Sequence, residues 1–97
     1  MQVFTGDTFV RQHIRMRAAR EHLPTLAPLL AADAAFSKVV CSDFTGSGGS
    51  LSLRGDLADR VAFERLREIV ASTHPPVTVW YSLQSEKEIF HAVVPHE

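Results

Sequence analysis

The chain lacks most of the features that indicate a particular chemistry. It has a single cysteine, Cys41, among 97 residues, so it forms no intramolecular disulfide and indicates no oxidising compartment. Its 10 basic and 11 acidic side chains leave a net charge of -1, which provides no bulk attraction for nucleic acid or acidic lipid. No apolar run approaches the roughly 20 residues that span a bilayer. These absences exclude a disulfide-stapled scaffold and a strongly basic nucleic-acid binder.

The start of the sequence also lacks an export signal. Residues 1–4 have neither the basic region nor the apolar stretch of a signal peptide, so we expect a cytoplasmic protein from the sequence as given. With 45% hydrophobic and 22% charged residues, the composition is ordinary for a soluble chain. The length predicts a single domain over 1–97.

An apolar stripe at helical spacing predicts helix in the first part of the chain, 7–35. The stripe is formed by Phe9, Met16, Ala19, Leu23, Leu26 and Leu30. Pro24 and Pro28 argue against one continuous helix, because proline loses its amide hydrogen bond and clashes one turn back. We therefore expect two helices, at about 7–22 and 25–35, with Thr25 capping the second.

The second part, 38–94, has the pattern β-β-α-β-β. Alternating or β-rich segments predict strands at about 38–44, 51–54, 77–83 and 88–94. Apolar residues at helical spacing between the second and third strands predict a helix, with Asp56 as its cap and Asp59 placed favourably against its dipole. The order α-α-β-β-α-β-β predicts an α+β fold, a small mixed sheet of about four strands with helices packed on one face.

Short segments of the chain carry a family resemblance. They are Leu29-Leu30-Ala31-Ala32-Asp33-Ala34, Leu51-Ser52-Leu53-Arg54-Gly55 and Ala62-Phe63-Glu64-Arg65-Leu66. With them, the stretch from Leu26 to Leu83 resembles a BON domain, the small α-β-β-α-β interaction module of bacterial proteins. The chain departs from the family at His74-Pro75-Pro76-Val77, where the family has Pro-Gly-Val, and its leading helix and last strand are extra.

The resemblance implies a non-catalytic module that binds phospholipid surfaces or other proteins. It brings no catalytic residues to carry over. Members of the family commonly sit in the cell envelope, so the resemblance implies an envelope-associated protein if the chain belongs to a longer precursor.

Several patterns suggest chemistry, and each has a plainer explanation. The loop at 46–49 fits the G-x-x-G string of KH nucleic-acid-binding modules, but that loop joins two helices and this one joins two predicted strands. The five histidines include no pair at the i, i+4 spacing of a helical metal site. Cys41 follows two valines in a strand, where a cysteine is usually a small buried hydrophobe. We therefore expect no enzyme, no metal and no cofactor.

Trp80 marks the first candidate binding surface. Because side chains alternate along a strand, Trp80 points to the other face of the sheet from Val79 and Tyr81, which is the side that we expect the helices to leave open. Depending on strand register, either Phe90 with Ala92 or His91 with Val93 joins it. An exposed Trp on a sheet is typical of an interface, whereas a leading helix that covers this face would bury it.

The basic first helix is the second candidate. Arg11 and Arg15 lie one turn apart with His22 on the same side, and such a strip can hold phosphate groups. Arg17 and Arg20 add to its charge. No aromatic side chain interleaves with the strip in the sequence, which favours a plain solvated face over single-strand recognition.

We expect from the sequence a non-catalytic binding module of BON-like type. It docks on a protein partner, a second copy of itself included, or on an anionic phospholipid membrane surface. The alternative is a small nucleic-acid-binding domain that uses Arg11, Arg15, Arg17 and Arg20.

Overall fold

The computed structural model describes residues 6–44 and 49–96, with side chains described at 11–43 and 49–96. The elements follow the order α1 (Gly6–Ala31), a short 3-10 turn (Ala34–Phe36), β1 (Val39–Phe44), β2 (Ser50–Asp56), α2 (Arg60–Ser72), β3 (Val79–Gln84) and β4 (Ile89–Val94). The predicted class is confirmed, because the fold is a four-stranded mixed sheet with α-helices packed against it. The predicted order is wrong at its start, where one helix stands in place of two.

α1 is continuous for 26 residues and contains both Pro24 and Pro28. A proline in a helix interior costs about 3 kcal/mol through the lost hydrogen bond and the clash, which was the reason to expect a break. Leu26 and Leu30 are buried on the same helix, so packing of this end against the sheet overrides the local preference. The helix predicted at 25–35 and its cap at Thr25 are therefore wrong.

A short 3-10 turn, Ala34–Phe36, occupies the end of the predicted second helix. The Ala35 backbone N–H donates to Asp33 Oδ1 at 2.9 Å, so Asp33 caps this turn. The turn places Phe36 in the core, where its side chain is buried.

The strands are arranged in the order β1-β2-β3-β4. β1 and β2 form an antiparallel hairpin, β2 and β3 are parallel, and β3 and β4 are again antiparallel. A parallel pair needs a crossover connection, and α2 provides it by returning the chain over the sheet. The strand order, which the sequence left open, thus follows the chain order.

The hairpin loop predicted around 46–49 lies mostly outside the described residues. Gly49, its last residue, has a φ of +104°, a conformation that suits glycine. A Cβ at Gly49 would lie 2.6 Å from the Met16 backbone nitrogen. α1 therefore passes directly against the start of β2.

The start of α2 corrects a second detail. Asp59, not Asp56, is the N-cap, since its Oδ1 accepts from the Ala62 backbone N–H at 2.9 Å. Asp56 still belongs to β2, where it pairs with Gln84 across the parallel ladder and accepts from Gln84 Nε2 at 3.1 Å. Strand pairing thus extends β2 beyond the point where the sequence pattern ends it.

Both helices pack on the same face of the sheet. The Phe63 ring of α2 stacks on Phe90 with centroids 4.9 Å apart and meets Tyr81 edge-on at 5.8 Å. α1 joins the same core, which is formed by Ala19, Leu26, Leu30, Phe36, Leu51, Leu53, Leu57, Ala62, Phe63, Leu66, Val70, Val77, Val79, Tyr81, Leu83 and Phe90. On the other face Val40, Ser82, His91 and Val93 are exposed, whereas Ser50 and Ser52 are buried.

Candidate binding surface

The open face of the sheet carries the alternate residues of the four strands. Strand pairing places them in cross-strand rows, one of which runs Val40, Arg54, Ser82, His91 and the next Ser42, Ser52, Trp80, Val93. Large apolar side chains are exposed on this face. They are Val40, Trp80, Ile89 and Val93, and we refer to them as the Trp80 face. A surface of this kind on a sheet is a typical place for another molecule to dock.

Trp80 and Val93 form the centre of the Trp80 face. They lie directly opposite each other on β3 and β4, where cross-strand neighbours have Cβ atoms about 5 Å apart. Trp80 is 37% exposed and Val93 48% exposed. Neither side chain is buried among the described residues, although Arg15 of α1 lines a cavity with Trp80.

Phe90 does not belong to this surface. It lies opposite Leu83 in the ladder, is 2% exposed and stacks on Phe63. The register therefore places His91 and Val93 beside Trp80, and the alternative with Phe90 and Ala92 is wrong. A strand with apolar residues on both faces gives no periodicity by which to choose between the two.

Hydroxyl and basic groups surround the apolar centre. Ser82 Oγ lies 3.2 Å from His91 Nε2 on the exposed face. Arg54, the neighbour of Ser82 on β2, is exposed and takes part in none of the ion pairs among the described residues. A guanidinium left in this state suits a carboxylate or phosphate of a bound molecule.

The first helix reaches this surface at one end of the sheet. Arg15 lines a cavity of about 330 Å³ together with Trp80, Thr78 and His96. Gly49, Ser50 and Val77 complete the lining. No acidic side chain is among these residues. The structure therefore joins two candidates that the sequence treated separately, the Trp80 surface and the basic helix.

The other members of the predicted basic strip separate. Arg20 Nε lies 3.7 Å from Asp43 Oδ2, on the helix-covered side. Arg11 and Arg17 are exposed on α1. His22 was expected beside Arg11 and Arg15, but it is half-buried and its Nε2 lies 2.9 Å from Thr73 Oγ1 at the end of α2. Arg15 is the member of the strip that lines the described cavity beside Trp80.

The thiol and the histidines gather into no reactive site within the described residues. Burial raises the pKa of the Cys41 thiol to about 11, the opposite of what an activated nucleophile needs. Burial also lowers the pKa of His22, which is engaged between the helices. Nowhere in 11–43 and 49–96 do three or more His, Cys, Asp or Glu side chains come together as metal ligands would.

We compared the chain with models of protein families, with curated proteins and with solved protein structures, and nothing matches in any of these comparisons. The elements from Leu26 onward follow the order α-β-β-α-β up to β3, which is the order that a BON domain has. Element order alone does not establish a family, so the BON resemblance stays a prediction. None of the helices that the structure describes has the length and apolar character to cross a bilayer.

Proposed function

We propose that this chain is a non-catalytic interaction module that docks on a protein partner through the Trp80 face. A single observation carries the proposal. On a small sheet whose other side is covered by both helices, Trp80 and Val93 lie side by side on the opposite face, which also exposes Val40 and Ile89.

The composition of this face supports a protein partner. Aromatic anchors at the centre of a patch, surrounded by polar groups, are the arrangement found at protein interfaces. Here Trp80 is the anchor, while Ser82, His91 and Arg54 supply hydrogen-bonding groups around it. These residues stand on paired strands, whose hydrogen-bonded backbone keeps the surface rigid and so lowers the entropy lost on binding.

The chemistry of the face supports binding without catalysis. Ser82 and His91 are within reach of each other, and such a pair invites comparison with a nucleophile and its base. A catalytic histidine is oriented by a further group on its second nitrogen. Among the described residues the Ser82 hydroxyl is the hydrogen-bond partner that the structure gives His91. Within the described residues the structure thus shows this pair without the third group that orients a catalytic histidine.

The proposal is tested by selecting, from a displayed library of random peptides, those that bind the purified chain. Trp80→Ala and Val93→Ser should each weaken the selected peptides, and Val61→Ser is the matched control. Val61 is 68% exposed on α2, away from the Trp80 face, so its replacement should leave binding unchanged. Loss of one anchor is expected to weaken binding by roughly tenfold or more.

Two outcomes would contradict the proposal. Selected peptides that bind Trp80→Ala as tightly as the natural chain would place docking elsewhere. The second outcome has two parts: the chain co-sediments at low salt with vesicles of anionic phospholipid, and no selected peptide needs Trp80 for binding. That result would favour the membrane as partner.

Single-stranded nucleic acid is the second candidate, and the cavity shared by Arg15 and Trp80 favours it. A base stacks on an aromatic ring while an arginine holds the neighbouring phosphate, and none of the described residues that line this cavity is acidic. The aromatic partner that the basic strip lacked in the sequence is thus present in space. Arg15, rather than the whole set of helix arginines, becomes the residue on which this candidate depends.

A matched pair of variants tests this second candidate. Arg15→Gln and Arg17→Gln remove the same charge from the same helix, but only Arg15 lines the cavity with Trp80. Titration with a single-stranded oligonucleotide, followed by Trp80 fluorescence, should show weaker binding for Arg15→Gln alone. Equal losses in both variants would indicate non-specific attraction to the helix.

A further inference from the structure

The two edges of the sheet are protected differently. β1 packs against α1, and the edge carries Asp43 in an ion pair with Arg20. β4, Ile89–Val94, has neither a charged residue nor a proline within it. Natural proteins protect an exposed edge with such residues, because its free N–H and C=O groups template pairing with another strand. The β4 edge lacks that protection.

A groove runs along the helix side of this unprotected edge. Its volume is about 310 Å³. The groove is lined mostly by apolar side chains, with Val79, Tyr81 and Val94 on its sheet side. Three charged residues of α2, Glu64, Arg67 and Glu68, complete the lining. A strand added at β4 alone would therefore leave this apolar groove beside α2 exposed to water, which is unfavourable unless side chains of the same partner fill it.

The charges at the groove alternate in sign along α2. Glu64, Arg67 and Glu68 all face the groove, and none of them belongs to the ion pairs among the described residues. The Arg67 guanidinium lies 5.7 Å from the centre of the Phe63 ring, and this cation–π contact keeps the Arg67 side chain close to α2. A second α2, running antiparallel, would bring the opposite charges of the two helices together.

The position of α2 makes such a pairing possible. Phe63 contacts Tyr81 on β3 and Phe90 on β4, so α2 lies above these two strands. Adjacent strands are about 4.8 Å apart. Two copies joined through β4 would therefore place their α2 helices roughly 10 Å apart, which is the distance of packed helices.

We propose that a second copy of this chain docks antiparallel along β4, so that the two sheets become one. The two α2 helices then pack side by side, and Glu64 and Glu68 of each copy face Arg67 of the partner subunit. The pair is isologous, since each copy presents the same edge and the same helix. Side chains of the paired α2 helices fill both grooves. The Trp80 face remains free on the other side of the joined sheet, so this proposal and the proposed function fail independently.

Charge reversal tests the pairing. Arg67→Glu, and separately Glu64→Arg with Glu68→Arg, should each weaken the dimer at least about tenfold in sedimentation velocity. A mixture of these two altered chains should form a heterodimer, because one then carries only acidic and the other only basic groups at the groove. Arg17→Glu makes the same charge change on α1 and should leave the dimer unchanged.

The mixing experiment also shows that the altered chains fold, since unfolded chains would not regain association. A natural chain that stays monomeric at every concentration would overturn the proposal. So would a dimer that survives both reversals, or one that Arg17→Glu weakens as much as Arg67→Glu does. Peptide binding at the Trp80 face should be the same in all these variants.

Discussion

The helix-covered face and the opposite face of the sheet are made from alternate residues of the same strands, yet they differ in burial. On β2, Leu51 and Leu53 are completely buried under the helices, while Arg54 is exposed on the other side. On β3, Tyr81 and Leu83 are buried, and Trp80 between the covered positions is not. The difference teaches that the hydrophobic core lies on one side of the sheet, and that the proposed docking depends on the exposed residues of the other.

Replacing one residue from each face of β2 gives the largest contrast. Leu53→Ala removes a fully buried side chain and should lower the free energy of unfolding by about 2–5 kcal/mol. Arg54→Ala, at the next position but on the open face, should change it by about 0.5 kcal/mol or less. Urea unfolding measures both. Similar losses would mean that the two faces contribute alike, contrary to this account.

Gly55 tests how closely the covered side of the sheet is packed. Its φ is +135°, and a Cβ there would lie 1.9 Å from the Lys38 carbonyl oxygen. Gly55→Ala should therefore destabilise the chain by about 2 kcal/mol or more. Thermal unfolding followed by circular dichroism gives the change. A variant as stable as the natural chain would show that β1 yields at this point.

Trp80→Ala sharpens the comparison from the open side. Trp80 is not buried and pairs with Val93 across the strands, so its loss should cost about 1 kcal/mol, within the range of a cross-strand pair. The same change should abolish most peptide binding. A loss of stability as large as that of Leu53→Ala would make Trp80 a core residue, and the reduced binding would then have a structural cause.

The smallest expected effect concerns pH and the contact between the helices. Burial lowers the pKa of His22 in the folded state, so folding favours the neutral imidazole. Its contribution is complete above the unfolded pKa of about 6.5, and it is lost as pH falls from there toward the folded pKa. His22→Gln should flatten the dependence of stability on pH in that window. An unchanged pH profile would place the titrating group elsewhere.

Asp33 acts at lower pH, and a measurement there separates it from His22. The backbone N–H of Ala35 and the neighbouring Arg65 hold the pKa of Asp33 below its usual value. Its contribution to stability is therefore present above the unfolded pKa and is lost as pH falls through the folded one. Asp33→Asn should remove this acid-range loss without changing the region near neutrality.

The sequence predicted the elements that stand on clear periodicity. α2 and the strands follow their apolar patterns, and the alternation in β3 correctly predicted that Trp80 and Tyr81 point to opposite faces of the sheet. The break in α1 was wrong because Pro24 and Pro28 are judged by local cost, whereas burial of Leu26 is a property of the folded chain. Local chemistry therefore predicted the parts that tertiary packing does not override.

The candidate surface was predictable only in part for a different reason. Phe90 and His91 are neighbours in the sequence, and nothing in an apolar strand says which of them faces the helices. Arg15 and Trp80 are far apart along the chain, and only the passage of α1 against Gly49 brings them to one cavity. Strand register and helix placement, which arise from long-range packing, decided both.

Trp80 is the single tryptophan of the chain, so its fluorescence reports directly on the open face. The most direct measurement is acrylamide quenching of Trp80 with and without the tightest selected peptide. Docking on the Trp80 face predicts a blue-shifted emission and strong protection from the quencher when the peptide is bound. Emission and quenching that stay unchanged while the peptide is bound would contradict the assignment of this face.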